Sequence, residues 1–150
     1  MIKKITIDKA KEVQRLINSA AREGQVLERS LNYIYENIRD FRVYKEGEKI
    51  VACCSLHVVG WQSLAEIKSL VVDKGYRKKN IGKKLVADSL KEAKSLGVSK
   101  VFALTFSSRF FKKQGFSLID KNDLPHKIWT ECLNCKYFPD CKEEAVIIKI

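Results

Sequence analysis

The 150 residues have the length of one domain, and 45% hydrophobic with 31% charged residues is ordinary globular composition. The longest apolar stretches are far shorter than the roughly 20 residues of a membrane helix, and no secretory signal opens the chain. We therefore expect a cytoplasmic protein with no membrane association and with reduced cysteines.

The net charge of +11 favours acidic partners. Because lysines far outnumber arginines, which read phosphates and bases specifically, we expect a polyanionic small ligand rather than nucleic acid.

Hydrophobic periodicity and turn residues predict the elements in chain order. Strands are expected over 2–7, 41–44, 49–59, 64–72, 101–105, 116–119 and 144–150, and helices over 8–24, 27–37, 81–96 and 109–114. We expect Asp8 to cap the first helix, and Leu96 to lie on the buried side of the helix over 81–96. The order fits an α+β fold, with an open mixed sheet and one β-α-β crossover in its middle. We expect one domain over 1–150 that includes the cysteine-bearing segment 126–150.

The segment from Leu70 to Lys83 is the most informative, because a strand runs into a basic turn that opens a long helix. Backbone N–H groups and the positive end of the helix dipole then face one spot, which lysines and Arg77 surround. The segment predicts an anion-binding cradle, although a charged loop before a solvated helix is the alternative. A nucleotide P-loop is excluded, because six residues separate Gly75 from Gly82 and no Ser or Thr follows the lysine.

Three residues of this turn resemble the pyrophosphate loop of the GNAT acetyltransferase superfamily, which reads Arg or Gln, two residues, Gly, one residue, then Gly or Ala. Arg77, Asn80 and Gly82 stand in register with it. Asn80 replaces the usual glycine, and asparagine is the next residue best able to adopt a positive φ. The resemblance implies the GNAT fold, a central mixed and mostly antiparallel sheet flanked by helices, with acetyl-CoA as cosubstrate. It places Leu70, Val71 and Val72 along the pantetheine, and the pyrophosphate against Arg77, Lys78, Lys79, Asn80, Ile81, Gly82 and Lys83.

Nearly the whole chain also resembles the short, stand-alone N-acetylglutamate synthases of bacteria. The matching segments include 27–31, 64–70, 101–105, 110–116 and 124–129. This resemblance implies an amino-acid N-acetyltransferase that acetylates the α-amine of glutamate, or of a similar acidic amino acid, in the first step of arginine biosynthesis. The alternatives are an N-acetyltransferase for another small amine or a protein N-terminus, and a non-catalytic module that binds acetyl-CoA or nucleic acid. A homodimer is compatible with the sequence.

Glu66 is the candidate base. It lies four residues before Leu70 on the same predicted strand, so we expect both side chains on one face. In the resembling enzymes the matching glutamate acts as a base through water, whereas an ion pair with Lys68 is the alternative. Backbone N–H groups near Leu70 and Val71 could hold the oxyanion if the strand bulges there. Many acetyltransferases of the resembling superfamily supply a tyrosine as the acid after the fifth strand, but this chain has none there. We therefore expect Thr105 or Ser107 only to position a water or to hydrogen-bond the sulfur.

An acceptor with two carboxylates needs cations opposite the cosubstrate. Arg29 matches the substrate-side arginine of the resembling family, while Lys68 and Lys127 are further candidates, and surface solvation is the alternative for each. Ser69 and Ser107 are expected to contact the substrate.

The cysteines are expected to serve packing rather than metal binding. Cys132, Cys135 and Cys141, with His126 as a possible fourth ligand, would form only a weak zinc half-site. Cys53 and Cys54 stand inside an apolar strand, and we expect both in the core.

Overall fold

The computed structural model describes residues 1–60, 63–124 and 143–150. The strands of this part are β1 (Ile2–Lys4), β2 (Phe41–Glu46), β3 (Lys49–Val59), β4 (Leu64–Val72), β5 (Lys100–Thr105), β6 (Ser117–Ile119) and β7 (Glu144–Lys149). The α-helices are α1 (Ala10–Arg22), α2 (Leu31–Glu36), α3 (Ile81–Ser95) and α4 (Ser108–Lys113). The strands form one mixed sheet in the order β1-β2-β3-β4-β5-β7-β6. The predicted α+β architecture is confirmed.

The crossover from β4 through α3 to β5 makes the only parallel pair among the described strands. Residues Val101, Phe102 and Ala103 of β5 are buried, as expected for a strand covered on both faces. One face of the sheet packs on α3, with Leu85 and Val86 in what we call the α3-side core. The other face packs on α1 and α2 and forms the α1-side core.

No described helix is both long and apolar enough to span a membrane.

Two element boundaries near the N-terminus differ from the predicted ones for local reasons. β1 ends at Lys4, and a 3₁₀ turn over Ile7–Lys9 leads into α1. The predicted cap at Asp8 is wrong, because its carboxylate accepts a hydrogen bond from the Thr6 hydroxyl and caps no helix. The second helix begins at Leu31 instead of near residue 27, because the Ser30 hydroxyl accepts the N–H of Tyr33 at 3.0 Å.

The polarity of α3 also departs from the prediction. Leu96 follows the helix and is 60% exposed, so its predicted burial is wrong. Asp88 and Glu92 face inward enough to bind the buried Arg42 of β2.

Cys53 and Cys54 of β3 are both buried as predicted, and burial raises the pKa of the Cys54 thiol to about 11.

Candidate active site

A cavity of about 810 Å³ lies where β4 and β5 separate. The two strands pair only from Leu64 with Lys100 to Glu66 with Phe102. Beyond that point β4 runs on to Val72 and β5 to Thr105 without further pairing. Because the sheet opens there, the cavity reaches both of its faces.

A β-bulge at Ser69 changes which way the β4 side chains point. Ser69 has φ +52°, and the register with β3 shifts between Lys68 and Val71. Ile67 belongs to the α3-side core, and Leu70 packs against that core, whereas Val71 belongs to the α1-side core. The expectation that Glu66 shares a face with Leu70 is therefore wrong, because the extra residue inverts the alternation between them. The bulge on which the predicted oxyanion site depends is present.

Glu66 and Lys68 form a buried ion pair on the wall of the cavity. Lys68 Nζ lies 3.7 Å from Glu66 Oε1. The side chain of Lys68 is 7% exposed and that of Glu66 is 9% exposed. Lys68 Nζ also lies 5.9 Å from the centroid of the Tyr33 ring. The ion pair that the sequence offered as the alternative to a base is thus present, and it holds the carboxylate at the cavity.

Arg29 joins this group from the segment before α2. Its guanidinium carbon lies 4.5 Å from the Tyr33 ring centroid. Its backbone is held by α1, because the Asn18 side chain accepts the Arg29 N–H at 3.0 Å and donates to the Arg29 carbonyl at 3.3 Å. Gln14, one turn earlier, donates to the same carbonyl at 3.3 Å. We call Arg29, Tyr33, Glu66 and Lys68 the acceptor cluster.

The opposite end of the cavity is the N-terminus of α3. Asn80 adopts the left-handed conformation, φ +63°, as its position in the turn predicts, and its side chain makes no cap. The N–H groups of the first helical turn are therefore not capped by the residue that precedes it. A Cβ on Gly82 would lie 3.4 Å from the Phe110 ring and 3.8 Å from Val72, so a larger side chain would fill the space before the helix. Lys78 also has a positive φ, of 66°.

The main role of the Arg77 side chain is to hold the turn in place, rather than to face an open anion site. Its Nε donates to the Val72 carbonyl at 3.1 Å, and its terminal nitrogen donates to Gln25 at 3.0 Å. The side chain of Lys79 does not line the cavity, and its Nζ lies 5.3 Å from the Tyr76 ring centroid. Tyr76 itself lines the cavity.

Thr105 and Ser107 stand where β5 ends. The Thr105 hydroxyl accepts the Ser107 N–H at 2.8 Å, so its own hydrogen can be donated toward the cavity that it lines. Ser107 precedes α4 and makes no side-chain cap.

The structure brings together most of the residues predicted for the site. The cavity is lined by Arg29, Glu66, Lys68, Ser69, Leu70, Val71, Val72, Arg77, Lys78, Asn80, Ile81, Gly82, Lys83, Thr105 and Ser107. Lys127, His126, Cys132, Cys135 and Cys141 lie outside the described residues. Elsewhere in the chain, within 1–60, 63–124 and 143–150, no group of His, Cys, Asp and Glu side chains could hold a metal ion.

Several lining residues were not predicted. Gln25, Phe110, Lys113, Gln114 and Lys121 belong to this set. The two extra lysines add to a lining that already carries Arg29, Lys68 and the basic turn, so cations outnumber the carboxylates of Glu66 and Glu143. The site is suited to an anionic ligand.

Sequence comparison places the chain among acetyltransferases. Residues 11–116 match the model of the acetyltransferase (GNAT) family. The chain is 38% identical over 138 residues to an uncharacterized N-acetyltransferase of Chlorobaculum tepidum, with 92% of this chain and 88% of that protein covered. It is 32% identical over 123 residues to an amino-acid acetyltransferase of Mycobacterium tuberculosis, with 79% and 69% covered. Other similar amino-acid acetyltransferases are longer, and the chain spans 27% of the one from Aeromonas salmonicida.

Solved structures share the fold. A Mycobacterium tuberculosis protein in complex with CoA superposes with a TM-score of 0.83 at 24% identity, covering 100% of this chain and 99% of that one. The N-acetylglutamate synthase of Neisseria gonorrhoeae, complexed with coenzyme A and N-acetyl-glutamate, gives 0.91 at 20% identity, covering 99% of this chain and 34% of that one. Both are coenzyme A complexes, in agreement with acetyl-CoA as the predicted cosubstrate. The fold and the match over most of its length show that the chain belongs to the GNAT family of acetyltransferases.

Proposed function

We propose that the protein transfers the acetyl group of acetyl-CoA to the α-amine of glutamate or of a similar small acidic amino acid. The observation that carries this proposal is the cavity through the opened sheet. It joins a cation-rich helix N-terminus at one end to a buried carboxylate and two substrate-side cations at the other. A cosubstrate with a pyrophosphate and an acceptor with carboxylates match these two ends in charge.

The cradle at α3 fits the pyrophosphate of the cosubstrate. Gly82 leaves room for a phosphate beside Phe110, and Asn80 turns the chain so that the N–H groups of Ile81 to Lys83 start the helix at the cavity. Lys78 and Lys83 line the same region and supply charge. Arg77 contributes mainly by holding the turn against the Val72 carbonyl, and Lys79 contributes only to the surrounding positive field.

The β4 strand supplies the groups for the chemistry. Acetyl transfer requires a neutral amine, so Glu66 takes the amine proton, directly or through a water. β4 is not paired with β5 beyond Glu66, and the N–H groups near Leu70 and Val71, next to the bulge at Ser69, stabilise the developing oxyanion. Thr105, on the other side of the split, donates its hydroxyl hydrogen to a water or to the departing sulfur.

The acceptor is held by the cations of the acceptor cluster. Arg29 and Lys68 pair with its carboxylates, and Ser69 and Ser107 lie on the same cavity wall for its polar atoms. The amino-acid acetyltransferase of Mycobacterium tuberculosis, 32% identical over 79% of this chain, supports an amino-acid acceptor. The acidic side chain of the acceptor rests on the two cations.

A panel of acceptors tests the proposal. Purified protein with acetyl-CoA should release free coenzyme thiol fastest with L-glutamate, and slower with glutamine, aspartate and simple amines or N-terminal peptides. Arg29→Gln should raise KM for glutamate by ~10-fold or more, the scale of one lost charge-assisted contact, with little change in KM for acetyl-CoA. Faster turnover with a non-acidic amine, or an Arg29→Gln variant that binds glutamate normally, would reject the acidic acceptor while leaving acetyl transfer intact.

A further inference from the structure

The Tyr33 ring lies against both cations that face the proposed acceptor. The Arg29 guanidinium carbon is 4.5 Å from the ring centroid, and Lys68 Nζ is 5.9 Å from it. Both distances are within the ~6 Å at which a cation is attracted to an aromatic face. One ring therefore contacts a cation from the segment before α2 and a cation from β4.

The ring occupies a fixed position. The Tyr33 N–H is bound by the Ser30 hydroxyl at 3.0 Å, and its carbonyl accepts from the Asn37 side chain at 2.9 Å. The residue packs against the α1-side core, next to the fully buried Ile34. The short helix α2 thus presents the ring from a backbone that is tied at both ends.

Each of the two cationic residues is also held by a contact other than the ring. The Asn18 amide brackets the Arg29 backbone through its N–H and carbonyl. Lys68 is paired with Glu66 at 3.7 Å. Arginine and lysine side chains are long and lose much rotamer freedom when ordered, and two like charges at one site repel each other. The electron-rich face of an aromatic ring attracts cations, and the Tyr33 ring lies near both of these.

We propose that Tyr33 determines acceptor specificity, by holding Arg29 and Lys68 at a separation that suits an amino acid with two carboxylates. The inference rests on the proposed function, because it assigns the two cations to the acceptor. An acceptor whose side chain ends in an amide presents only one carboxylate to this pair. Tyr33 acts through the two cations and is a positioning residue, which requires its ring but not its hydroxyl.

The test compares glutamate with glutamine as acceptors. Tyr33→Leu should raise KM for glutamate by ~10-fold and lower the glutamate-over-glutamine ratio of kcat/KM by a similar factor, the loss expected for two weak cation–π contacts. KM for acetyl-CoA should change less than ~2-fold. Tyr33→Phe keeps the ring and should retain the wild-type ratio. Tyr35→Leu is the matched control, because Tyr35 lies on the same helix and packs against the same core, and no cation of the described residues lies over its ring.

The possible outcomes separate this inference from the proposed function. Wild-type protein that does not acetylate glutamate overturns the acceptor assignment, and this proposal with it. Wild-type protein that prefers glutamate, with an unchanged preference in Tyr33→Leu or an equal loss in Tyr33→Phe, overturns the role of the ring alone. Tyr33→Met, with an unbranched apolar side chain, provides the same comparison should the leucine variant fail to fold. Circular dichroism establishes folding before kinetics are measured.

Discussion

Arg42 of β2 is a fully buried guanidinium, only 1% exposed, inside a sheet strand. One terminal nitrogen donates to Asp88 Oδ2 at 2.9 Å, and the other pairs with Glu92 of the same helix. Lys4 of β1 adds a second cation to Glu92, with 3.1 Å between Nζ and Oε1. A buried charge is tolerated when such partners surround it, and it becomes costly when one of them is removed. The cluster therefore ties α3 to the edge of the sheet.

The stability contributed by Glu92 should depend on pH. Burial opposes ionisation of this carboxyl, but the hydrogen bond and charge of Arg42, with Lys4, lower its pKa below the ordinary 4.5. A lowered pKa means that the contribution is fully present above about pH 4.5 and is lost as pH falls through the folded value. Glu92→Gln should reduce the free energy of unfolding at pH 7 by about 1–3 kcal/mol, less than for a fully buried pair because Glu92 is partly exposed.

Denaturant unfolding at pH 7 and at pH values below 4 measures this effect. The difference between wild type and Glu92→Gln should shrink in acid, where the wild-type carboxylate becomes protonated. Glu36→Gln, on the exposed face of α2, is the control and should change little at either pH. An equal difference at all pH values would show that Glu92 stabilises by packing and not by its charge.

At the residue scale, the sequence predicts functional groups better than it predicts their partners. The family resemblance predicts the roles of Glu66 and Arg29, with Lys68 as a weaker candidate, and the structure brings all three to one cavity. The pairing of Arg42 with Asp88 and Glu92 left no local signal. Arg42 stands 46 positions before Asp88 and 50 before Glu92, and carboxylates on a helix normally indicate a solvated face.

In the proposed function, cosubstrate binding depends on the beginning of α3. Gly82→Val would place its side chain against the Phe110 ring, in the space assigned to the pyrophosphate. The dissociation constant for acetyl-CoA should rise by at least ~10-fold, equivalent to about 1.4 kcal/mol, as measured by calorimetry. Gly75→Val is the matched control, because a Cβ at Gly75 meets nothing within 4 Å. Wild-type affinity in a folded Gly82→Val protein would move the pyrophosphate away from this turn.

Element boundaries show where periodicity suffices and where it fails. The limits of β3 and β4 were predicted to the residue, and α3 begins at the predicted Ile81, because apolar alternation and glycine turns mark them. The start of α2 was misplaced because Leu27 has helical spacing with Leu31, whereas the Ser30 cap determines the true boundary. The bulge at Ser69 was inferred from the resemblance, and its effect on side-chain direction was missed. A single inserted residue puts the side chains that follow it on the opposite face of the strand.

In the proposed function, the plane of the sheet separates the two substrates. The cosubstrate cradle lies at the N-terminus of α3, and the acceptor cluster lies on the side of α1 and α2, joined through the gap between β4 and β5. The inversion at Ser69 explains how one strand can serve both sides, with Glu66 toward the acceptor and Leu70 toward the α3-side core. The roles of Lys127 and of the cysteines at 132, 135 and 141 stay predictions from sequence.

The pH dependence of kcat and of KM for glutamate in wild type and Glu66→Gln, at saturating acetyl-CoA, tests the catalytic role of this arrangement most directly. Glutamine keeps the shape of the side chain but cannot take the amine proton, so kcat should fall by ~10²-fold or more at neutral pH. The deficit should shrink as pH rises, because solution then supplies the neutral amine, while acetyl-CoA affinity stays close to wild type. A deficit that is equal at all pH values and lies mainly in KM would contradict the base role and leave Glu66 as the ion-pair partner of Lys68.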